Sequence, residues 1–235
     1  MSKIDAILKR LREAPGLAGV DRWDYTGGMT ALELVEEAEA VGKFRTEGFV
    51  IDGGVVFAYD NIARWMLGDR KMLCINPDKR TKELGDLRKG LYLAGRTGCG
   101  KSWAMEIFSF LAREHRLLVT IGGKDILLAP KAYRADEITG AFMRDGDICP
   151  FVEAPVLLID DLGTEQPEVV YMGNRVDVLR QVLEMRADRA RLTLVTSNIP
   201  MRAEALKERY GDRVVSRLHQ MCNYIEMTGD DWRVR

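Results

Sequence analysis

The chain has almost no charge of either sign to spare. Across 235 residues, 35 Lys and Arg face 36 Asp and Glu, for a formal net charge of −1. Any surface for nucleic acid must therefore be a local patch and not a global field. Cysteine is scarce too: Cys74, Cys99, Cys149 and Cys222 are scattered with no Cys-x-x-Cys pair. That excludes a cysteine zinc site or an obvious disulfide framework and fits a reducing compartment. The two histidines, His115 and His219, have no acid or metal-ligand spacing around them and read as structural or solvated. No run approaches the ~20 apolar residues of a membrane span. Charges lie throughout the apolar positions of the first residues, which argues against a signal peptide. The expectation is a cytoplasmic protein with no membrane partner. No internal repeat or low-complexity segment is visible, and a chain of this length holds one α/β domain plus a small appendage.

What the chain does have is Gly95-Arg96-Thr97-Gly98-Cys99-Gly100-Lys101-Ser102, a match to Gly-x-x-x-x-Gly-Lys-[Ser/Thr]. It follows the strand-like run 90–94 and precedes a helical pattern over 103–114. The context is what a phosphate loop requires. Glycines let backbone N–H groups curl around an anion, Lys101 reaches the outer phosphates, and the Ser102 hydroxyl holds Mg²⁺. The helix that follows presents its positive dipole end to the same phosphates. These residues predict a bound nucleoside triphosphate, with ATP and Mg²⁺ as the expected cofactors.

The pattern on either side divides the chain. Residues 1–75 read as a separate, mainly helical N-terminal domain, 76–86 as a polar linker, and 87–235 as the nucleotide-binding domain. In the head, Ile4, Ile7, Leu8 and Leu11 recur at helical spacing in a basic helix over 3–13. Such a stripe either docks on a partner groove or packs on its own domain. Thr30 and Glu33 form a capping-box pattern before a second helix that closes near Gly42. Residues 49–51 and 55–57, around Asp52-Gly53-Gly54, read as a hairpin, followed by a third helix from Asp60 to about Leu67. Beyond the linker, strands are expected at 90–95, 117–121, 155–160, 192–197 and 222–227. Helices are expected at 101–114, 134–144, 173–188 and 203–219, the last broken at Gly211. This alternation implies an α/β fold with a parallel sheet covered on both faces.

Val156-Leu157-Leu158-Ile159 is the continuous apolar run of a buried strand, and it ends in Asp160-Asp161. Ligands bind at the carboxyl ends of strands in open α/β sheets. Asp160 is therefore placed to act on Mg²⁺, through water, because that ion keeps much of its hydration shell. Asp161 or Glu165 could orient an attacking water; a solvated acidic turn is the plainer alternative. Leu192 to Val195 leads into Thr196-Ser197-Asn198. Asn198 either positions water at a terminal phosphate or simply opens the turn before Pro200. Arg213 and Arg217 stand four apart on one helix face. Guanidinium groups suit transition-state phosphate charge, and an exposed basic face is the alternative.

Taken in order, several segments resemble the DnaC/DnaI-type replicative helicase loaders and their transposon relatives, the IstB-type ATPases. They are 95–102, Leu158 to Gly163, Thr196-Ser197-Asn198, Tyr210 to Arg213 with Ser216-Arg217-Leu218, and a terminal Gly229 to Arg233. The likeness covers roughly residues 85–235. It implies an AAA+ P-loop NTPase core with sheet order 5-1-4-3-2 and no helical lid, since only eight residues follow the last strand. By resemblance, Asn198 matches sensor one, Arg217 the arginine finger, Arg213 its companion, and Arg233 a sensor-two-like arginine. The resemblance also implies slow ATP hydrolysis, a hexameric replicative DNA helicase and single-stranded DNA as partners, and self-association through the ATP site. Two departures stand out: the second Walker B acid is Asp161 instead of the commoner Glu, and the head lacks clustered cysteines. A P-loop small-molecule kinase fits the Asn198 strand and the Arg217 element poorly.

The remaining features have plainer readings. Cys99, inside the phosphate loop, reads as a passive small side chain more than as a redox switch. Trp23, Trp65 and Trp103 are expected in the core in preference to stacking on bases. Arg175, Arg180, Arg186, Arg189 and Arg191 are the basic residues available for single-stranded DNA, although at helical spacing they also read as a solvated face.

Overall fold

The structure, a computed structural model, describes residues 20–229. The expected helix over 3–13 and Arg233 lie outside those residues. Five parallel strands make the central sheet: β1 (Gly90–Gly95), β2 (Lys131–Arg134), β3 (Val156–Leu162), β4 (Leu192–Ser197) and β5 (Cys222–Met227). Their spatial order is β5-β1-β4-β3-β2, as expected. Strands β1 and β4 lie inside the sheet and are buried almost throughout. That is why β1 runs apolar without alternation and why the polar residues of β4, Thr193, Thr196 and Ser197, are all buried.

Helices cover both faces. On one face lie α1 (Ala31–Arg45), α2 (Val56–Leu67) and α3 (Lys101–Glu114). Their apolar sides, including Leu34, Ile62, Trp65 and Phe108, join Leu91, Leu93 and Ile225 of the sheet in one core. The other face carries α4 (Ala135–Asp145), α5 (Cys149–Glu153), α6 (Val178–Asp188) and α7 (Glu204–Met221) around Tyr92, Leu157, Ile159 and Val195. Trp65 is fully buried, its indole N–H donating to the Lys89 carbonyl at 2.8 Å. Trp23 is 46% exposed and donates to Thr120 Oγ1, so it is not a core residue.

Several expectations fail at particular places. The stretch 117–121 does form a strand, Leu118–Ile121, but it pairs antiparallel with Val20–Arg22 and Lys124–Leu127 in a separate sheet. Gly122 and Gly123, with φ of 60° and 73°, turn the chain back there. The second core strand is β2 instead. It sits at the sheet edge and is mostly exposed, so its polar sequence carries no buried-strand signal. No hairpin forms over 49–57. A 3₁₀ turn at Gly53–Val55 leads directly into α2, whose Ala58, Tyr59, Ile62, Ala63 and Met66 face the core at helical spacing.

The Thr30–Glu33 capping box is present, with Glu33 Oε2 accepting from the Thr30 amide at 2.7 Å. Gly42, however, does not end α1. It lies within the helix, where a Cβ would meet the Phe49 ring at 2.2 Å. Across 73–84, Leu73–Ile75 pairs antiparallel with Lys82–Leu84. The helix expected over 173–188 starts only at Val178, where the Asp177 side chain accepts from the Arg180 amide; Val169–Tyr171 and Asn174–Val176 form a hairpin before it. Gly211 breaks α7 as expected, with φ 80° and ψ 159°.

Candidate nucleotide site

The phosphate-loop sequence forms the turn between β1 and α3. Gly98 and Gly100 take φ of 82° and 90°, a region that L side chains rarely adopt, and Gly100 is the residue from which α3 departs. Gly95 is required for a different reason. A Cβ there would lie 2.4 Å from the Met227 carbonyl oxygen and 2.7 Å from Cys99 Sγ. Cys99 is fully buried beneath the loop, which fits a passive side chain.

Lys101 is the electrostatic centre of the loop. It is only 5% exposed, and its Nζ donates to Gly95 O at 2.9 Å, Arg96 O at 3.0 Å and Asn198 Oδ1 at 2.8 Å. All three acceptors are neutral. A buried ammonium with no carboxylate beside it is costly, and an anion delivered to this loop would relieve that cost. Ser102 is the second residue of α3 and is half-buried.

Strand order decides what meets Lys101. Because β4 lies between β1 and β3, the ends of three strands converge, and Asn198, just past β4, reaches the lysine. On the other side of β4 the register shifts between Val195 and Ser197, leaving Asp160 and Asp161 around Thr196. The hydroxyl of Thr196 fills this bulge: it donates to Asp160 Oδ1 at 2.6 Å and accepts from the Asp161 amide at 2.9 Å. Asp161 itself takes φ 54°, an uncommon conformation for a side chain without special cause. Bulges of this kind re-aim side chains next to functional sites. Thr196 was visible in the sequence only as the first residue of a polar Thr-Ser-Asn ending. Its bridging role depends on the pairing of β3 with β4.

Glu165 stands apart from this group. It is buried, with Oε2 accepting from the Gly163 amide and Oε1 from Arg209 and the Tyr210 hydroxyl. Arg209 also reaches Asp177 at 3.4 Å. Burial and the Glu165 carboxylate together push the Tyr210 hydroxyl far above the usual tyrosine range.

Arg213 and Arg217 do share a face of α7, and both turn toward α6. Arg217 donates to Asp188 Oδ1 at 2.7 Å and to Gln220 Oε1 at 3.1 Å, while Arg213 lies 3.7 Å from Glu184. Neither lines the open cleft beside the phosphate loop, which has a volume of about 800 Å³. Among the arginines considered for DNA, Arg186 is excluded. It is fully buried, its guanidinium donating to Thr193 Oγ1 and to the carbonyls of Phe151, Val152, Ala154 and Leu192. Arg189 and Arg191 both pair with Glu153, and Arg175 stays 80% exposed. Among the described residues, no helix is long and apolar enough to cross a membrane.

No protein-family model and no curated protein matches the sequence. Solved structures do match in three dimensions. A DnaI structure aligns with TM-score 0.50 and 20% identity, covering 85% of this chain and 92% of its own. A candidate primosome component from Streptococcus pyogenes serotype M3 aligns with TM-score 0.51 and 18% identity, covering 77% of this chain and 82% of that one. A DnaC helicase loader aligns at TM-score 0.48 and 19% identity, over 76% of this chain and 92% of that chain. The first two likenesses are likenesses of fold. With the strand order and the loop between β1 and α3, they show that this chain shares the fold of the DnaI structure, a central five-stranded parallel sheet covered by helices.

Proposed function

We propose that the protein binds and hydrolyses ATP and uses that cycle to deliver a hexameric replicative helicase to single-stranded DNA. The observation that carries the nucleotide part is Lys101: a buried cation in a glycine-shaped loop, donating to the oxygens of Gly95, Arg96 and Asn198 and to the Cys99 sulfur, with no carboxylate among these partners. In this reading the backbone amides of 95–102 cradle the phosphates. Ser102 and Asp160 would hold Mg²⁺, which when bound neutralises charge on the phosphate oxygens. The donor set fits that ion, being a hydroxyl and a carboxylate that leave room for several waters.

Asp161 then orients the attacking water. Glu165 is the weaker choice because both its oxygens are engaged by Gly163, Arg209 and Tyr210. Asn198 exchanges its bond to Lys101 for contact with the terminal phosphate or the water. Arg217, accompanied by Arg213, serves a neighbouring subunit, and Arg233 acts on the nucleotide of its own chain. The carboxylate of Asp161 is one methylene shorter than Glu, so turnover is slow.

The partner rests on the motif resemblance over 85–235, and a candidate primosome component of the same fold agrees with a replication role. Calorimetry with ATP should show binding that Lys101→Ala weakens. A pull-down from the native cell should recover a hexameric helicase in an ATP-dependent manner. Unchanged ATP affinity in Lys101→Ala sinks the nucleotide reading. Recovery of a transposase instead of a helicase would replace loading with a transposition-helper role.

A further inference from the structure

The cleft beside the phosphate loop carries a cluster of cationic side chains. Its wall includes Gly95, Arg96, Thr97 and Asn198 of the candidate site, and it adds two arginines from elsewhere, Arg80 and Arg202. All three arginines are exposed, and none has a carboxylate partner among the described residues. The arginines of α6 and α7 that reach solvent behave differently: the exposed Arg180 and Arg213 and the partly exposed Arg217 each sit against an acid. One acid, Glu226, also lines the cleft, and the Tyr224 hydroxyl donates to it at 2.6 Å. Among the described residues, three guanidinium groups face one carboxylate in this cleft, in a chain whose formal net charge is −1.

Both added arginines stand on built turns. Arg80 lies in the tight turn between Leu73–Ile75 and Lys82–Leu84. There Asn76 Oδ1 accepts from the Asp78 and Lys79 amides, the Asn76 carbonyl accepts from the Arg80 amide at 2.8 Å, and the Asn76 amide donates to Thr81 O at 2.8 Å. Arg80 adopts φ 57°, where Gly or Asn would sit with less strain. Arg202 follows Met201, which is 1% exposed and anchors the turn after Asn198. The Tyr92 hydroxyl fixes the same turn by donating to Ile199 O at 2.8 Å.

We infer that Arg80 and Arg202 form a second phosphate-contacting wall within the same chain, reading the outermost phosphate of the nucleotide held by the loop. This deepens the ATP-site reading and rests on it. The cleft's volume of about 800 Å³ suits a nucleotide-sized ligand. Continuity with Gly95–Thr97 and Asn198 puts the two arginines on the open side of the phosphate cradle. Arginine matches phosphate because its planar donors bond two oxygens at once. Such a wall discriminates triphosphate from diphosphate, a distinction that the loop amides alone make poorly.

The test is calorimetry on the full chain with Mg²⁺, comparing a non-hydrolysable ATP analogue with ADP. Arg80→Ala, Arg202→Ala and the double variant should each lose affinity for the analogue, by about tenfold per arginine (about 1.4 kcal/mol). ADP affinity should change by less than about twofold, on the order of the noise between related sites. Thermal melts check that each variant is folded. Equal losses for both nucleotides, or no loss for either, overturn the wall. If the variants instead lose binding to a single-stranded oligonucleotide while the preference for triphosphate is unchanged, the arginines serve nucleic acid and the inference falls. Lys101→Ala is the control, expected to weaken both nucleotides together. If wild-type protein binds neither nucleotide, the ATP-site reading fails and takes this inference with it.

Discussion

At the scale of single residues, Thr196 joins the two halves of the candidate chemistry. One hydroxyl fixes the carboxylate proposed for Mg²⁺ and the backbone of the residue proposed to orient water. Thr196→Val keeps the side chain's shape, removes both bonds and leaves the Asp161 amide without a partner. An unsatisfied buried donor costs roughly 1–3 kcal/mol, so a denaturant titration should show a loss in that range. Steady-state ATPase assays should show kcat falling about tenfold or more, with ATP affinity nearly unchanged, because the phosphate loop is untouched. Thr196→Ser, which restores the hydroxyl, should recover most of the rate. A full rate in the valine variant would mean that the bulge holds its geometry by backbone pairing alone. Asp161→Asn separates binding from turnover in the same assay. It should bind ATP normally and hydrolyse it at least about 10²-fold more slowly, as loss of a water-positioning group does in related chemistry. A wild-type rate would return Glu165 to consideration.

At the scale of elements, legibility followed burial. β1, β3 and β4 announce themselves because strands covered on both faces are mainly apolar, and the polar endings of β3 and β4 are then conspicuous. β2 is an edge strand of Lys, Ala, Tyr and Arg with one sheet neighbour, so it leaves no such mark. The more apolar stretch at 117–121 drew the assignment that belonged to it. The start of α2 was hidden for a related reason. Val55, Val56 and Phe57 are β-formers by propensity, yet Val55 closes the 3₁₀ turn and Val56 and Phe57 open a helix whose Ala58, Tyr59 and Ile62 are buried. Gly42 read as a helix end, whereas its small size admits Phe49 within α1.

Gly211 is the opposite case, a break visible in both sequence and structure. Its φ of 80° and ψ of 159° fall in a region essentially reserved for glycine. A Cβ there would meet nothing within 4 Å, so any penalty is conformational and not steric crowding from neighbours. Gly211→Ala should therefore cost about 1–3 kcal/mol, or straighten α7 and move Arg213 and Arg217 away from Glu184 and Asp188. A thermal melt with no loss, together with unchanged partner-dependent ATPase activity, would show that the break has no such role.

At the scale of the whole molecule, the candidate nucleotide cleft and the candidate finger are separated. The loop, Asn198, Arg80 and Arg202 gather around the ends of β1, β4 and β5, while Arg217 is held on α7 by Asp188 and Gln220. The Arg217–Asp188 pair is partly exposed, and pairs of that kind contribute only about 0–1 kcal/mol. It orients the guanidinium without locking it, so a neighbour's phosphate could take its place. An arginine supplied from outside is worth roughly 10³–10⁵ in rate in other nucleotide hydrolases; the shorter Asp161 side chain argues for a smaller effect here. Complementation tests the sharing directly. Arg217→Ala and Lys101→Ala should each lose most ATPase activity on their own, the first for want of a finger, the second for want of a phosphate site. In a mixture, a Lys101→Ala subunit still offers Arg217 to the intact loop of an Arg217→Ala subunit. Partial recovery of DNA-stimulated hydrolysis in the mixed assembly is therefore the expected result. No recovery, once sedimentation has demonstrated that the two variants co-assemble, would mean that Arg217 acts only within its own chain, through its bond to Asp188.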